Sequence, residues 1–524
     1  MLDRQLLAPH ALAAWAAKTP DAPAVIHIDG ERLTYAELLA DSRRWATCFQ
    51  SLGVDAGTHV ATLLPNQLHA HRTMLGLSWL RAIEVPINTA YVGAVLVHAL
   101  TLSEVTVLVC TRELLAQVTP VLDACSLLKT VVLVDGEAPA TESLTPVVPI
   151  AMAGLLAELP DAIESFPGPG PWDVSTLLFT SGTTGPSKAV ISPWGLTYQM
   201  WSWVPEDTLA PGEALFSAMP LFHNSGRSGF NYVLSRGGCL VTRDKFSATS
   251  VWDDVRRHDC VALALVGPLT ALLFSAPPRE DDADNPVRSV ILGPMIPQIA
   301  EFERRFGVRV TLCYGQTEIG APIVSTWDHG PWETCGRRRE SWPQHEVRIV
   351  DELDEPVAVG TVGELVVRAD PWSLMLGYYG MPERTVEAWR NGWFHTGDAF
   401  RADEAGYFYF VDRMNDAIRR RGENISSFDV EAAVGQHPHV RECAAIGVRT
   451  SFGDDEVLVA VIADEDFRPE GLREFLRGRL PGFMHPRYVR VLADLPRNTT
   501  TGRVRKGELR EVGVTATTWD ALAP

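Results

Sequence analysis

The run Thr180-Ser181-Gly182-Thr183-Thr184-Gly185-Pro186-Ser187-Lys188 follows directly on the apolar stretch Ser175–Phe179. With Ala189 and Val190 it holds three threonines, two serines and two glycines, a pliable loop rich in O–H and N–H donors. Proteins wrap phosphates in this way, and Lys188 adds positive charge. It is not a Walker A loop, because GxxxxGK[ST] needs a glycine where Ser187 stands. A solvated linker, in turn, has no need of hydroxyls and a lysine after a buried strand. Three further positions suit the same chemistry. Glu318 is a hard oxygen ligand for a divalent cation. Asp398, at a turn after His395-Thr396-Gly397, can accept two ribose hydroxyls through its two oxygens. Arg413 offers a planar fork for ribose or phosphate oxygens.

These side chains need a scaffold, and the pattern predicts one. Short β-branched runs at His59–Leu64, Thr106–Cys110, Thr130–Val134, Ser175–Phe179, Val261–Val266 and Val308–Leu312 alternate with amphipathic stretches, as in an α/β domain with parallel-rich sheets. After about residue 340 the spacing of strands and turns tightens into a small β subdomain. A strand-like YFYFV then ends near Val411, and an Arg-rich hairpin candidate begins. The expected division is a large domain over 1–411 and a mobile α+β C-terminal domain over 412–524, hinged near 412–416. At 524 residues the chain exceeds what one core usually supports.

A formal net charge of −19 argues against a nucleic-acid or anionic-membrane binder, yet leaves room for an anionic small ligand held by local cations and N–H groups. The eight cysteines are scattered, with neither CxxC pairs nor zinc spacing. The N-terminus reads as an amphipathic helix, and the longest near-apolar run, Val261–Phe274, is short and broken by Gly267-Pro268. A cytoplasmic protein with no membrane span is expected.

The phosphate-type loop resembles that of the adenylate-forming superfamily of acyl-CoA synthetases, luciferases and nonribosomal-peptide adenylation domains. Other elements are similar in the same order: Tyr314-Gly315-Gln316-Thr317-Glu318, Gly392-Trp393-Phe394-His395-Thr396-Gly397-Asp398, and Asp412-Arg413 through Glu431. The likeness runs from about Leu33-Thr34-Tyr35 to Arg510 and is strongest to acyl-CoA ligases. It implies that Thr180 to Gly185, Tyr314 to Thr317, Asp398, Phe410 and Arg413 bind ATP or AMP, that Glu318 holds Mg²⁺, and that Thr184, Lys188, His223, Glu318 and Arg503 make up the catalytic set. It implies that Pro220 to Gly226 wall the acyl pocket, with His223 at its mouth and Asn224 and Gly226 beside it. Gly293, Pro294, Met295, Cys313 and Gly320 would line the acyl tunnel. Arg421, Gly422 and Glu423 would face coenzyme A, glycine allowing close backbone approach.

One element departs from the pattern. Such proteins usually end in PxxxTGK[IV], whose lysine bridges substrate carboxylate and α-phosphate during adenylation. Here Pro496 is followed, one residue later than usual, by Thr501-Gly502-Arg503-Val504. Arginine is a wider fork of different reach, and misplacing one transition-state cation costs about 10²–10³ in rate. Lys506 is a weak substitute, pointing away from Arg503 if the segment is extended. Met484 stands where a KxP lysine is common, with Pro486 matching. In the family's mechanism thiol attack follows rotation of the small domain, which carries residue 503 away. The expectation is an enzyme that joins acyl-AMP to coenzyme A but adenylates weakly or not at all. Its partners would be a hydrophobic carboxylic acid or its acyl-AMP, coenzyme A and a separate adenylating enzyme. A complete ATP-dependent ligase and a freestanding enzyme loading a carrier protein are the alternatives.

Overall fold

Runs of Val, Leu, Ile and Cys that leave no polar face can lie only in a sheet covered on both sides, and the predicted runs do so. The computed structural model describes residues 2–139, 144, 146–160, 165–180, 187–293, 299–327, 330–331, 333–340, 345–413, 418–420, 423–425, 427–449, 455–477, 479–480, 482–497 and 504–522. They divide into two compact units, one formed by Met1–Gly182, Pro186–Glu346 and Arg368–Ala388, the other by Val347–Val367 and Trp389–Pro524.

The first unit holds two large sheets. In the seven-stranded sheet the order is Val148–Ala151, Thr130–Leu133, Val107–Cys110, His59–Leu63, Ile83–Pro86, Val174–Thr180 and Lys188–Pro193. All neighbours are parallel except the last pair, which runs antiparallel with Thr180 opposite Lys188. The nine-stranded sheet has a parallel centre, including Cys260–Val266, Ser289–Gly293 and Arg309–Gln316, and antiparallel edges. Helices start where the sequence supplies caps. Thr34 and Glu37 form a reciprocal box at the head of Tyr35–Ser51, at 3.2 and 2.8 Å. The near-apolar run is the strand Cys260–Val266 followed by the helix Gly267–Ser275. Among the described residues no helix is long and apolar enough to cross a membrane.

The second unit contains an antiparallel sheet with Gly363–Arg368, Trp393–Ala402 and Phe408–Arg413, the hairpin Ile418–Arg420 with Glu423–Ile425, and a mixed sheet of Val440–Arg449, Asp455–Ala463, Tyr488–Val491 and Trp519–Asp520. The helices Ser427–Val434 and Pro469–Leu476 close its core over Ile418, Ile425, Val459 and Met484.

Candidate functional site

Thr180 is the last residue of its strand and Lys188 the first of the next, so their pairing fixes both ends of the intervening loop. The Thr180 hydroxyl donates to the Lys188 carbonyl at 3.5 Å. Ser181, Gly182, Thr183, Thr184 and Gly185 lie outside the described residues. The Lys188 ammonium sits over the Tyr378 ring, 4.1 Å from its centre. The Tyr378 hydroxyl donates to Glu318 Oε1 at 3.0 Å. One aromatic side chain therefore touches both the loop cation and the candidate metal ligand. Burial, and then the Glu318 charge, raise the Tyr378 pKa and keep its proton in place.

Tyr378 reaches this position because the backbone around it extends the sheet. Ile191 N–H donates to Gly377 O at 2.9 Å, Leu376 N–H to Ile191 O at 3.0 Å and Tyr379 N–H to Ala189 O at 2.8 Å. The same segment holds the glutamate's main chain, since Met375 N–H donates to Glu318 O at 2.8 Å. Glu318 itself is on a tight hairpin in which Gln316 pairs with Gly320, leaving Thr317, Glu318 and Ile319 at the turn. A Cβ on Gly315 would come within 2.1 Å of Gly320 O. Gly320 has φ +67°, and a Cβ there would lie 1.5 Å from Gln199 Oε1; the structure places it against that carboxamide. Gln199 is fully buried, accepts Ala321 N–H at 3.0 Å and lies 2.7 Å from His345 Nε2. Tyr314 is buried at the base of the hairpin, its hydroxyl accepting from Gln316 Nε2 at 3.3 Å.

Of the acyl residues, His223 is the cap residue of the helix Asn224–Arg236, and its ring lies against Phe222, 4.7 Å between centres. Gly226 has no room for a side chain: a Cβ would fall 2.3 Å from Pro220 O and 2.4 Å from Met219 O. The Asn224 Nδ2 amide is buried and has no hydrogen-bond partner among the described residues. Gly293 and Cys313 are neighbours on adjacent strands, a Cβ on Gly293 meeting Cys313 Sγ at 3.6 Å. Burial pushes the Cys313 thiol up to about 12, so it is protonated and no nucleophile at neutral pH. Pro294 and Met295 lie outside the described residues.

In the second unit Asp398 is buried, and its strand register sets it opposite Arg413, which is placed here by its backbone alone. Gly397 turns at φ +69°, and its N–H donates to Glu364 Oε1 at 2.9 Å. The Thr396 hydroxyl donates to Leu365 O at 2.6 Å, while Asp398 N–H donates to that hydroxyl at 3.1 Å. Phe410 stands edge-on to Phe400, centres 5.6 Å apart. Arg421, Gly422 and Arg503 lie outside the described residues; Glu423 pairs with Arg420 across the hairpin. Arg420 turns inward to an ion pair with Glu456 at 2.6 Å and donates to His485 O at 3.2 Å.

One reading of the C-terminal segment changes. Lys506 is the first residue of the helix Lys506–Val512, so the alternation of an extended strand does not govern it. Its ammonium donates to the Ser427 hydroxyl and pairs with Glu431 at 2.9 Å. Met484 is buried in the unit's core. Arg497 forms an antiparallel bridge with Val504, and Arg505 N–H donates to Pro496 O at 2.7 Å.

Residues 12–379 match the family model "AMP-binding enzyme", and residues 429–503 match "AMP-binding enzyme C-terminal domain". The chain belongs to the AMP-binding enzyme family. Within that family it is of the acyl-CoA ligase type, an acid–thiol ligase. It is 29% identical over 493 residues to the crotonobetaine/carnitine–CoA ligase of Salmonella enteritidis PT4 (strain P125109), covering 91% of this chain and 93% of that one. Among solved structures, ATP-bound MatB from Rhodopseudomonas palustris is similar with a TM-score of 0.79 and 25% identity, covering 97% and 99% of the two chains. The o-succinylbenzoate CoA synthetase of Bacillus subtilis, in complex with its acyl-adenylate OSB-AMP, has a TM-score of 0.81 at 24% identity, with 95% and 97% covered, and shows the shared fold.

For this AMP-binding enzyme, sequence reasoning missed Tyr378 and Glu364. Both lie in runs that read as ordinary strand and turn, GYYG and GELVV. What distinguishes them is a partner far along the chain, Glu318 for the one and Gly397 for the other.

Proposed function

We propose that this ligase forms an acyl-CoA thioester from an acyl-adenylate and coenzyme A, and that its ATP-dependent adenylation half-reaction is weak or absent. The observation that carries the proposal is the commitment of Lys506 to Glu431 and Ser427, which leaves Arg503 as the candidate cation of the C-terminal motif.

The residues fit the nucleotide chemistry. Glu318 is a carboxylate with one oxygen already oriented by Tyr378, and would hold Mg²⁺. The bound cation would offset negative charge at the phosphate oxygens. Lys188, with Thr180 and the loop to Gly185, would steady the phosphates; Thr317 would contact the α-phosphate and Asp398 the ribose hydroxyls. Tyr314, Gly315, Gln316, Phe410 and Arg413 would complete the AMP cradle. The segment with His223, Asn224 and Gly226 would receive a hydrophobic acyl group, with Gly293, Pro294, Met295, Cys313 and Gly320 along its course. Arg421, Gly422 and Glu423 would admit the pantetheine arm. The thiol sulfur forms the new bond to the acyl carbon, the bond from that carbon to the phosphate oxygen breaks, AMP leaves and the thiol proton passes to solvent. That step does not use the cation at 503; adenylation does. The C-terminal domain begins near 412 in this reading, and a separate adenylating enzyme supplies the mixed anhydride.

A complete ATP-dependent ligase is the second reading, favoured by the Lys188–Tyr378–Glu318 arrangement. The test supplies coenzyme A with either ATP, Mg²⁺ and free acids or preformed acyl-AMPs, and follows acyl-CoA. Product from acyl-AMP alone supports the proposal, whereas brisk ATP-dependent turnover overturns it in favour of the complete ligase. Replacing coenzyme A by a phosphopantetheinylated carrier protein tests the remaining acceptor.

A further inference from the structure

An acidic side chain in the middle of a parallel sheet is out of keeping with its surroundings. Glu84 is such a residue, on the strand Ile83–Pro86 between His59–Leu63 and Val174–Thr180, and only 5% exposed. Both of its oxygens are taken. Thr62 donates to Oε1 at 2.8 Å, and Arg227 Nη2 donates to Oε2 at 2.6 Å. Arg227, 4% exposed, is in the first turn of the helix Asn224–Arg236. Its other nitrogen, Nη1, donates to Leu221 O at 3.2 Å, inside the segment that precedes the helix.

A buried ion pair of this kind adds little stability over apolar side chains of similar volume, because desolvation offsets the attraction. What an apolar pair cannot do is tie two points at fixed distances, which a guanidinium fork does. Here the points are a carbonyl of the 219–223 segment and a strand of the seven-stranded sheet. The segment is also pressed onto the helix at Gly226, where a Cβ would overlap Pro220 O. His223 O accepts Arg227 N–H at 3.3 Å. A shift of Arg227 is therefore passed directly to His223 and its neighbour Asn224.

We propose that the Arg227–Glu84 pair is a positioning device that seats the Met219–Gly226 segment and thereby sets acyl-substrate binding, a proposal that rests on reading that segment as the acyl-pocket wall. Two variants of the full chain test it. Glu84→Leu with Arg227→Met removes both charges and leaves neither unpaired. Arg227→Lys keeps a cation near Glu84 but replaces the two nitrogens that serve Glu84 and Leu221 O separately with a single one. Folding is checked by circular dichroism, and KM and kcat are measured for acyl-AMP and for coenzyme A. The expected result is a rise in acyl-substrate KM of about tenfold in the double variant and about threefold in Arg227→Lys, with the coenzyme KM changed less than about twofold. An unchanged acyl KM in a folded variant, or a fall in kcat with every KM unmoved, overturns the proposal. If the double variant does not fold, Arg227→Lys alone decides by the same criterion. A wild-type protein silent with every acyl substrate sinks the parent reading, and this proposal with it; an active wild type with unmoved variants sinks the proposal alone.

Discussion

In the first unit Lys188 lies over the Tyr378 ring and Glu318 accepts a hydrogen bond from the same tyrosine's hydroxyl, whereas in the second unit Arg420 and Lys506 are paired with Glu456 and Glu431. The first arrangement orients two charged groups through one neutral aromatic partner. The second sets cation against anion within the unit's own fold, and charges so paired are poorly placed to serve a ligand. Among the described side chains, then, one tyrosine of the large unit joins two candidate site residues, while the small unit uses Lys506 and Arg420 to hold itself together.

The largest test of this contrast is Glu318→Gln. It should lower ATP-dependent turnover, or acyl-AMP formation in the reverse direction, by about 10²–10³, comparable with the loss of one transition-state contact. A change under about threefold would remove Glu318 from the reactive set. Arg503→Lys comes next. Pyrophosphate release with ATP and acid should rise by up to about 10² if the cation's shape is what limits adenylation, while turnover of preformed acyl-AMP stays as it is. Tyr378→Phe keeps the ring under Lys188 but deletes the donor to Glu318. The Mg²⁺ concentration for half-saturation should rise by about tenfold, as outer hydrogen bonds to metal ligands generally require. Calorimetric titration of Mg²⁺ into the nucleotide complex measures this without relying on turnover.

Smaller effects are expected where charge is structural. Lys506→Met leaves Glu431 without its cation and should cost about 1–3 kcal/mol locally. Hydrogen exchange along Ser427–Val434 and Val440–Arg449 should quicken, with thioester formation from acyl-AMP unaffected. His345 gives the pH-dependent case. Burial, and then the Arg339 charge, bring it from 6.5 down to about 3. Between those values the unfolded chain holds the proton that the folded chain refuses, so stability is present above pH 6.5 and is lost as pH falls toward 3. His345→Gln should flatten that acid limb of the unfolding profile.

Much of this architecture was legible in advance, for reasons that differ from place to place. Val107–Cys110 and Thr130–Leu133 were readable as buried strands because a parallel sheet covered on both faces tolerates only such runs. Glu318 lies at a turn and Asp398, expected at one, lies within the strand Trp393–Ala402; the runs YGQT and HTG beside them are what singled them out in the sequence. The role of Lys506 was not: three residues after Arg503 it can continue a strand or begin a helix, and only its contact with Glu431, distant in sequence, favours the helix. Arg420, one of three consecutive arginines, pairs with Glu456, and nothing in the run itself marks that partner.

The sequence by itself determined the local geometry: apolar runs, glycine turns and a hydroxyl-rich loop depend on residues within a few positions of one another. The tertiary structure alone decided which partner each charge meets, because that depends on residues such as Tyr378, Glu84 and Glu431, brought into contact across scores of residues by burial of the surfaces around them.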